Sequence, residues 1–159
     1  MKQTEIRRAD ARDIPGIMNL LVQVDLVHHA IRPDLFKGPA TKYTEEELKA
    51  LLADDSTPVF VCADESGQVL GHCFCVLKQL KNDNVLTDIK TLYIDDLCVD
   101  EQCRGRHVGK SLYEYAVGFA RESGCYNITL NVWAGNDSAL KFYQNQGLKP
   151  QKYGMEVIL

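Results

Sequence analysis

The run Arg104-Gly105-Arg106-His107-Val108-Gly109-Lys110-Ser111 places cations and glycines between a segment that reads as a strand and one that reads as a helix. Unpaired N–H groups at a helix start, reinforced by the helix dipole, form an anion site, and glycines let a phosphate approach the backbone. The spacing sets this run apart from two common phosphate loops. A GxxxxGK[ST] loop needs one more residue between Gly105 and Gly109, and the GxGxxG of dinucleotide folds is absent. The plain alternative is a glycine-assisted turn entering a surface helix.

Other residues carry chemistry of their own. Tyr93-Ile94-Asp95-Asp96-Leu97-Cys98-Val99 places two carboxylates just before the anion loop. Strand alternation sends Asp95 and Asp96 to opposite faces, and a solvated pair of strand-end acids is the bland reading. His28-His29, followed by Arg32-Pro33-Asp34-Leu35-Phe36, offers either a proton relay or a helix end favourable to a protonated histidine. His72, alone among apolar residues in a strand pattern, reads as a hydrogen-bonded core residue. Six cysteines form no CxxC pair, and Cys73 and Cys75 fall at strand spacing. They read as free, partly buried thiols of a reducing cytoplasm, with Cys98 and Cys103 as packing residues. No metal-ligand spacing is present.

These residues need elements to position them. Thr4 to Arg8 suits a first strand, and Pro15 belongs in the first turn of a helix whose Ile14, Ile17, Met18, Leu20, Leu21, Val24 and Val27 keep helical spacing to about His28. A polar excursion, Ile31 to Tyr43, leads to a capping box at Thr44 and Glu47 and a second helix through Leu52. Val59 to Cys62 and Val69 to Leu77 read as a hairpin about Glu65-Ser66-Gly67-Gln68, and Thr87 to Val99 as a third strand. A helix from about Val108 to Ser123, a strand from Tyr126 to Val132, a helix from Ala139 to Gln146 and a last strand from Tyr153 to Leu159 complete the order. The fold class is α+β with a mixed sheet, because the helix between the Thr87 and Tyr126 strands makes a crossover.

Composition bounds the rest. A chain of 159 residues, 45% of them apolar, suits one domain over residues 1–159. The net charge of −4 and the lack of any Lys or Arg tract show no nucleic-acid footprint and suit a cationic partner. Met1 to Asp10 is charged, not apolar, and no stretch is expected to reach the roughly 20 apolar residues of a bilayer span, so the expectation is a cytoplasmic protein without membrane contact.

The anion loop, with Leu97-Cys98-Val99 before it and Asn136-Asp137-Ser138-Ala139-Leu140-Lys141-Phe142-Tyr143-Gln144-Asn145-Gln146-Gly147-Leu148 after it, resembles the GNAT family of N-acetyltransferases. The family loop reads [Q/R]-x-x-G-x-[G/A]; Arg104 and Gly109 match its ends, and His107 replaces its middle glycine. The resemblance implies a central mixed, mostly antiparallel sheet of six to seven strands flanked by about four helices. It also implies acetyl-coenzyme A as cosubstrate, bound by Leu97, Cys98, Val99, Arg104, Gly105, Arg106, His107, Val108, Gly109, Lys110, Ser111 and Asn136. Tyr143 resembles the family tyrosine that protonates the departing thiolate. The two acids look like those of the spermidine/spermine branch, so either Asp95 or Asp96 is implied as general base and amine ligand, with His28, His29 and Phe36 on the acceptor side. The expected reaction is direct acetyl transfer to the primary amine of a small molecule. A protein N-terminal or lysine acceptor and a non-catalytic acyl-coenzyme A sensor remain open, as does a homodimer built through the late strands.

Overall fold

A computed structural model describes residues 3–159; Met1 and Lys2, part of the charged N-terminal stretch, lie outside the described residues. Strand β1, Thr4–Arg8, leads to Asp10, whose side chain accepts from the Arg12 N–H while Asp13 accepts from the Asp10 N–H. Pro15 then sits in the first turn of α1, Ile14–Ile31, where a missing donor is harmless. The helix runs three residues beyond the expected His28, because the Arg32 N–H still reaches the His28 carbonyl at 2.8 Å. Helix α2, Glu45–Ala53, opens on the expected capping box, with Thr44 and Glu47 each accepting the other's backbone N–H at 3.1 Å.

Strands β2 (Val59–Asp64) and β3 (Val69–Gln79) form the hairpin, and Asp64 accepts from the Ser66 and Gln68 N–H groups in its turn. Strand β4, Lys90–Val99, pairs antiparallel with β3; α3, Val108–Glu122, crosses over; β5, Asn127–Leu130, adds parallel to β4; and α4, Asp137–Asn145, follows. The sheet order is β1-β2-β3-β4-β5. It divides two cores. On one face α1 and α2 bury Ile17, Leu20, Leu21 and Leu48 with Val59, Val61 and Phe74. On the other, α3 sets Val108, Leu112 and Ala116 against Cys73, Cys75, Leu92 and Ile94. Each fully buried Leu or Ile contributes about 1.5–3 kcal/mol relative to exposure.

The α+β architecture and its mixed sheet agree with the sequence, but the strand number does not. Five strands form among the described residues, not six to seven. Tyr153 to Leu159 is no strand: Tyr153, Met155, Val157, Ile158 and Leu159 are each at least 76% exposed. An extended segment becomes a strand only by pairing its backbone with a neighbour, and this one is held instead by an ion pair from Glu156 to Arg32. A second expectation also needs correcting. Ala11–Ile31 spans 21 residues and contains an 18-residue window of mean hydropathy 1.2, long and apolar enough by length and composition alone to cross a bilayer. Ile17, Leu20 and Leu21 of this helix are fully buried in the core beneath the sheet, while 22% of the window as a whole is buried.

Candidate active site

Strand β4 connects the two halves of the site. Its pairing with β5 ends at Ile94 opposite Leu130, so residues 95–99 run on beside β3 with no strand on their other side. Strands β4 and β5 splay apart there, which leaves backbone groups of Asp95 to Val99 available to a ligand. Beyond Val99, the Asp100 carboxylate caps the turn Glu101–Cys103 by accepting from the Gln102 N–H at 2.9 Å. The chain then enters the cationic loop.

That loop adopts a left-handed backbone twice, at Gly105 (φ 82°) and at His107 (φ 61°, ψ 20°). Histidine is among the non-glycine residues that tolerate this region, which explains how it can stand where the family has glycine. His107 is the N-cap of α3 but its side chain makes no capping bond. The first ladder bond is Ser111 N–H to the His107 carbonyl at 3.0 Å, so the preceding amides have no intrahelical partners. Gly71 on β3 fixes the height of this helix start: a Cβ there would lie 2.9 Å from Val108 and 3.0 Å from the Cys98 carbonyl.

A pocket of about 310 Å³ opens at this point, lined by Val99, Cys103, Arg104, His107, Gly109 and Lys110, among others of the loop, and by Phe142 and Gln146 from α4. A Cβ on Gly109 would stand 3.4 Å from Val99 and 3.6 Å from Phe142, within that space. Arg104, Arg106 and Lys110 are exposed and supply positive charge. Leu97, Cys98, Arg106 and Ser111 do not line the pocket. Cys98 points the other way, its Sγ 3.5 Å from the Leu20 carbonyl, and burial pushes its thiol up to about 12, as suits a packing residue. Asn136 caps α4 by accepting from the Ala139 N–H at 3.3 Å. Phe142 and Gln146 went unnoticed in the sequence, although their i, i+4 spacing puts them on one helix face.

Tyr143 follows Phe142, with ring centroids 5.1 Å apart. Burial pushes its phenol above the ordinary range, and the nearby Cys73 and the charge of Asp96 push the same way, so it keeps its proton. Its hydroxyl has no hydrogen-bond partner among the described residues.

The two acids depart from simple alternation. Phe74 pairs with Asp96 and Cys75 with Ile94, so Asp95 is the extra residue of a β-bulge. The bulge resets the alternation. Ile94 and Leu97 pack with the α3-side core, whereas Asp95 and Asp96 both reach the α1 and α2 side. Asp95 accepts from the Tyr43 hydroxyl at 2.5 Å and from Lys42 Nζ at 2.8 Å, and Asp96 accepts from His72 Nε2 at 2.7 Å. Tyr43 stacks on Phe74 at 5.6 Å, and His72 meets Phe74 edge-on at 4.8 Å, which joins these groups in one cluster. Burial and the bond to Asp95 raise the Tyr43 phenol well above its usual value. His72 is buried and hydrogen-bonded, as expected; its carboxylate partner was not foreseen, because strand pairing alone brings them together.

Around the end of α1, Phe36 lies between His28 (5.1 Å) and Trp133 (5.2 Å), and His29 Nδ1 sits 2.6 Å from the Phe36 carbonyl. His29 therefore ties down the loop after α1, and Trp133 joins an aromatic wall that the sequence reading missed. Among the described residues no group of three or more His, Cys, Asp or Glu side chains could hold a metal.

The model of the acetyltransferase (GNAT) family matches residues 24–148. The chain belongs to the GNAT family. Its fold is that of the BH1408 protein of Bacillus halodurans, solved as a mutant, with 30% identity, 98% of this chain and 99% of that one covered, and a TM-score of 0.93. An aminoglycoside N-acetyltransferase, AAC(6')-Iy, solved in complex with CoA, shares the fold at 14% identity, with 100% and 96% covered and a TM-score of 0.73. The uncharacterized N-acetyltransferase MJ1207 of Methanocaldococcus jannaschii is 26% identical over 111 residues, 70% of this chain. This GNAT chain thus spans 47% of the length of that curated relative.

Proposed function

We propose that this GNAT chain transfers the acetyl group of acetyl-coenzyme A to the primary amine of a small cationic molecule, by direct attack in a ternary complex. The bulge at Asp95 carries this reading, because it brings two carboxylates to one face of β4 beside its splayed end. A cationic amine matches that face. The pocket residues fit a pyrophosphate: Arg104 and Lys110 supply charge, the amides at the start of α3 supply donors, and Gly109 leaves room between Val99 and Phe142. Acetyl-coenzyme A supplies the thioester.

Within this frame the free edge at Asp95 to Val99 orients the acyl arm, and Asp96 receives one proton from the acceptor ammonium. The amine nitrogen bonds the acetyl carbon as the carbon–sulfur bond breaks. Tyr143 gives its proton to the sulfur and regains one from the nitrogen through solvent. The exposed apolar side chains from Tyr153 to Leu159 support a homodimer in the same reading, which sedimentation would measure.

Thiol release over a panel of monoamines, diamines, peptides and proteins tests the proposal. Turnover with small amines above peptides is expected. Binding of acetyl-coenzyme A without thiol release for any acceptor would leave a sensor instead of an enzyme; turnover with peptides alone would move the acceptor to protein amines.

A further inference from the structure

His72 is fully buried on β3, opposite Cys98 of β4. One ring nitrogen, Nε2, lies 2.7 Å from Asp96 Oδ2, while Nδ1 is buried and has no hydrogen-bond partner among the described residues. An imidazole buried with one nitrogen unmatched weakens the fold, whereas a hydrocarbon side chain would pack beside Phe74 without that penalty. Core packing therefore does not explain a histidine here.

What the ring does is aim a carboxylate. Phe74 meets it edge-on at 4.8 Å and is itself stacked on Tyr43 at 5.6 Å, so the imidazole has little freedom to turn. A bond to a carboxylate places the ring proton on Nε2 and leaves Nδ1 a bare lone pair. Asp96 Oδ2 is thereby committed as an acceptor, and Oδ1 has no partner among the described residues. The Asp96 side chain remains 10% exposed, so it is not sealed from a ligand as His72 is.

We propose that His72 is a positioning residue for acetyl transfer: it pins Oδ2 of Asp96 and so presents Oδ1 to the acceptor amine. This rests on Asp96 being the base in the reaction above. His72 keeps its Nε2 proton throughout, and the proton from the ammonium goes to Oδ1.

The test compares His72→Leu and His72→Gln in the full chain. The leucine variant is expected to lose about 10- to 100-fold in kcat, the worth of a hydrogen bond to a charged group, with KM for both substrates within about twofold. Because Asp96 is left without its donor, the melting midpoint should fall, so kcat is compared well below the midpoint of every variant. Glutamine, which can still donate to Asp96, should hold kcat within about fivefold of the wild type. In an Asp96→Asn background His72→Leu should cost almost nothing further, since the two residues act as one unit.

An unchanged kcat for His72→Leu, or equal losses in both variants that follow a lowered melting point, would overturn the inference. Should the leucine variant not fold, His72→Asn, whose amide falls short of Asp96, replaces it: activity equal to that of His72→Gln at equal melting points overturns the inference, and a selective loss supports it. Asp96→Asn with full kcat would remove the base assignment itself. A strong Asp96→Asn effect beside a silent His72 would remove only the positioning role.

Discussion

Lys42 holds Asp95, its ammonium 2.8 Å from Oδ1, and Lys42 is 48% exposed where Asp95 is 14% exposed. A second ammonium on a dicationic acceptor would compete with Lys42 for that oxygen. Lys42→Gln is therefore expected to lower KM for diamines by about two- to fivefold, the scale of an exposed ion pair, and to leave monoamines nearly unchanged. Steady-state kinetics of a matched diamine and monoamine pair at two salt concentrations will show it; identical ratios for wild type and variant would refute it.

Tyr143→Phe should reduce kcat by about 10²- to 10⁴-fold, as loss of a general acid does, with little change in acetyl-coenzyme A binding. The melting point should hold, because the hydroxyl has no hydrogen-bond partner to lose among the described residues. Folding raises the phenols of both Tyr143 and Tyr43, so their linked stability is complete below about pH 10 and declines as pH rises above it. Melting points from pH 8 to 11 should fall less steeply in Tyr143→Phe than in the wild type.

His107 marks a conformational limit in the loop proposed to hold the pyrophosphate. With φ at 61°, the position accepts glycine and resists β-branching. His107→Gly should bind coenzyme A within about twofold of the wild type, while His107→Val should lose about 1–2 kcal/mol of stability and bind more weakly. Calorimetric titration of both variants decides this, and equal affinity for Val and Gly would contradict the left-handed assignment.

Asp13 fastens β1 to α1. It is 1% exposed and accepts from both arms of the Arg7 guanidinium, at 2.7 and 2.9 Å. Burial pushes its carboxyl up, yet the bonds from Arg7 and the Asp10 N–H outweigh it and hold the group below the usual range. Its contribution is thus present above about pH 4 and is lost as pH falls below that. Asp13→Ala should cost about 3–5 kcal/mol by leaving Arg7 unpaired, measured by denaturant titration at pH 7, and the difference from wild type should shrink in acid.

The local features were readable from the chain alone. Pro15, the Thr44 and Glu47 capping box, the Asp64 to Gln68 turn and the glycines around α3 act through neighbours a few residues away, so their geometry is written in short stretches of sequence. The same holds for the loop before α3, a strand end, cations and a helix start in succession. Even the choice of histidine at position 107 was interpretable once its backbone angle was known.

Tertiary structure decided the acids. Whether Asp95 and Asp96 share a face depends on a single extra residue in the ladder between β3 and β4, and a bulge reverses every side chain beyond it. His72 met Asp96, and Tyr43 and Lys42 met Asp95, across 24 and about 50 residues of chain, through pairing and packing that no local pattern encodes. Tyr153 to Leu159 shows the same limit from the other side: its alternating apolar residues are those of a strand, but a strand exists only where a neighbour supplies the other half of its hydrogen bonds. The sequence by itself determined the glycine-containing cationic loop before α3 and the order of elements around it; the arrangement of charge beside it came only with the fold.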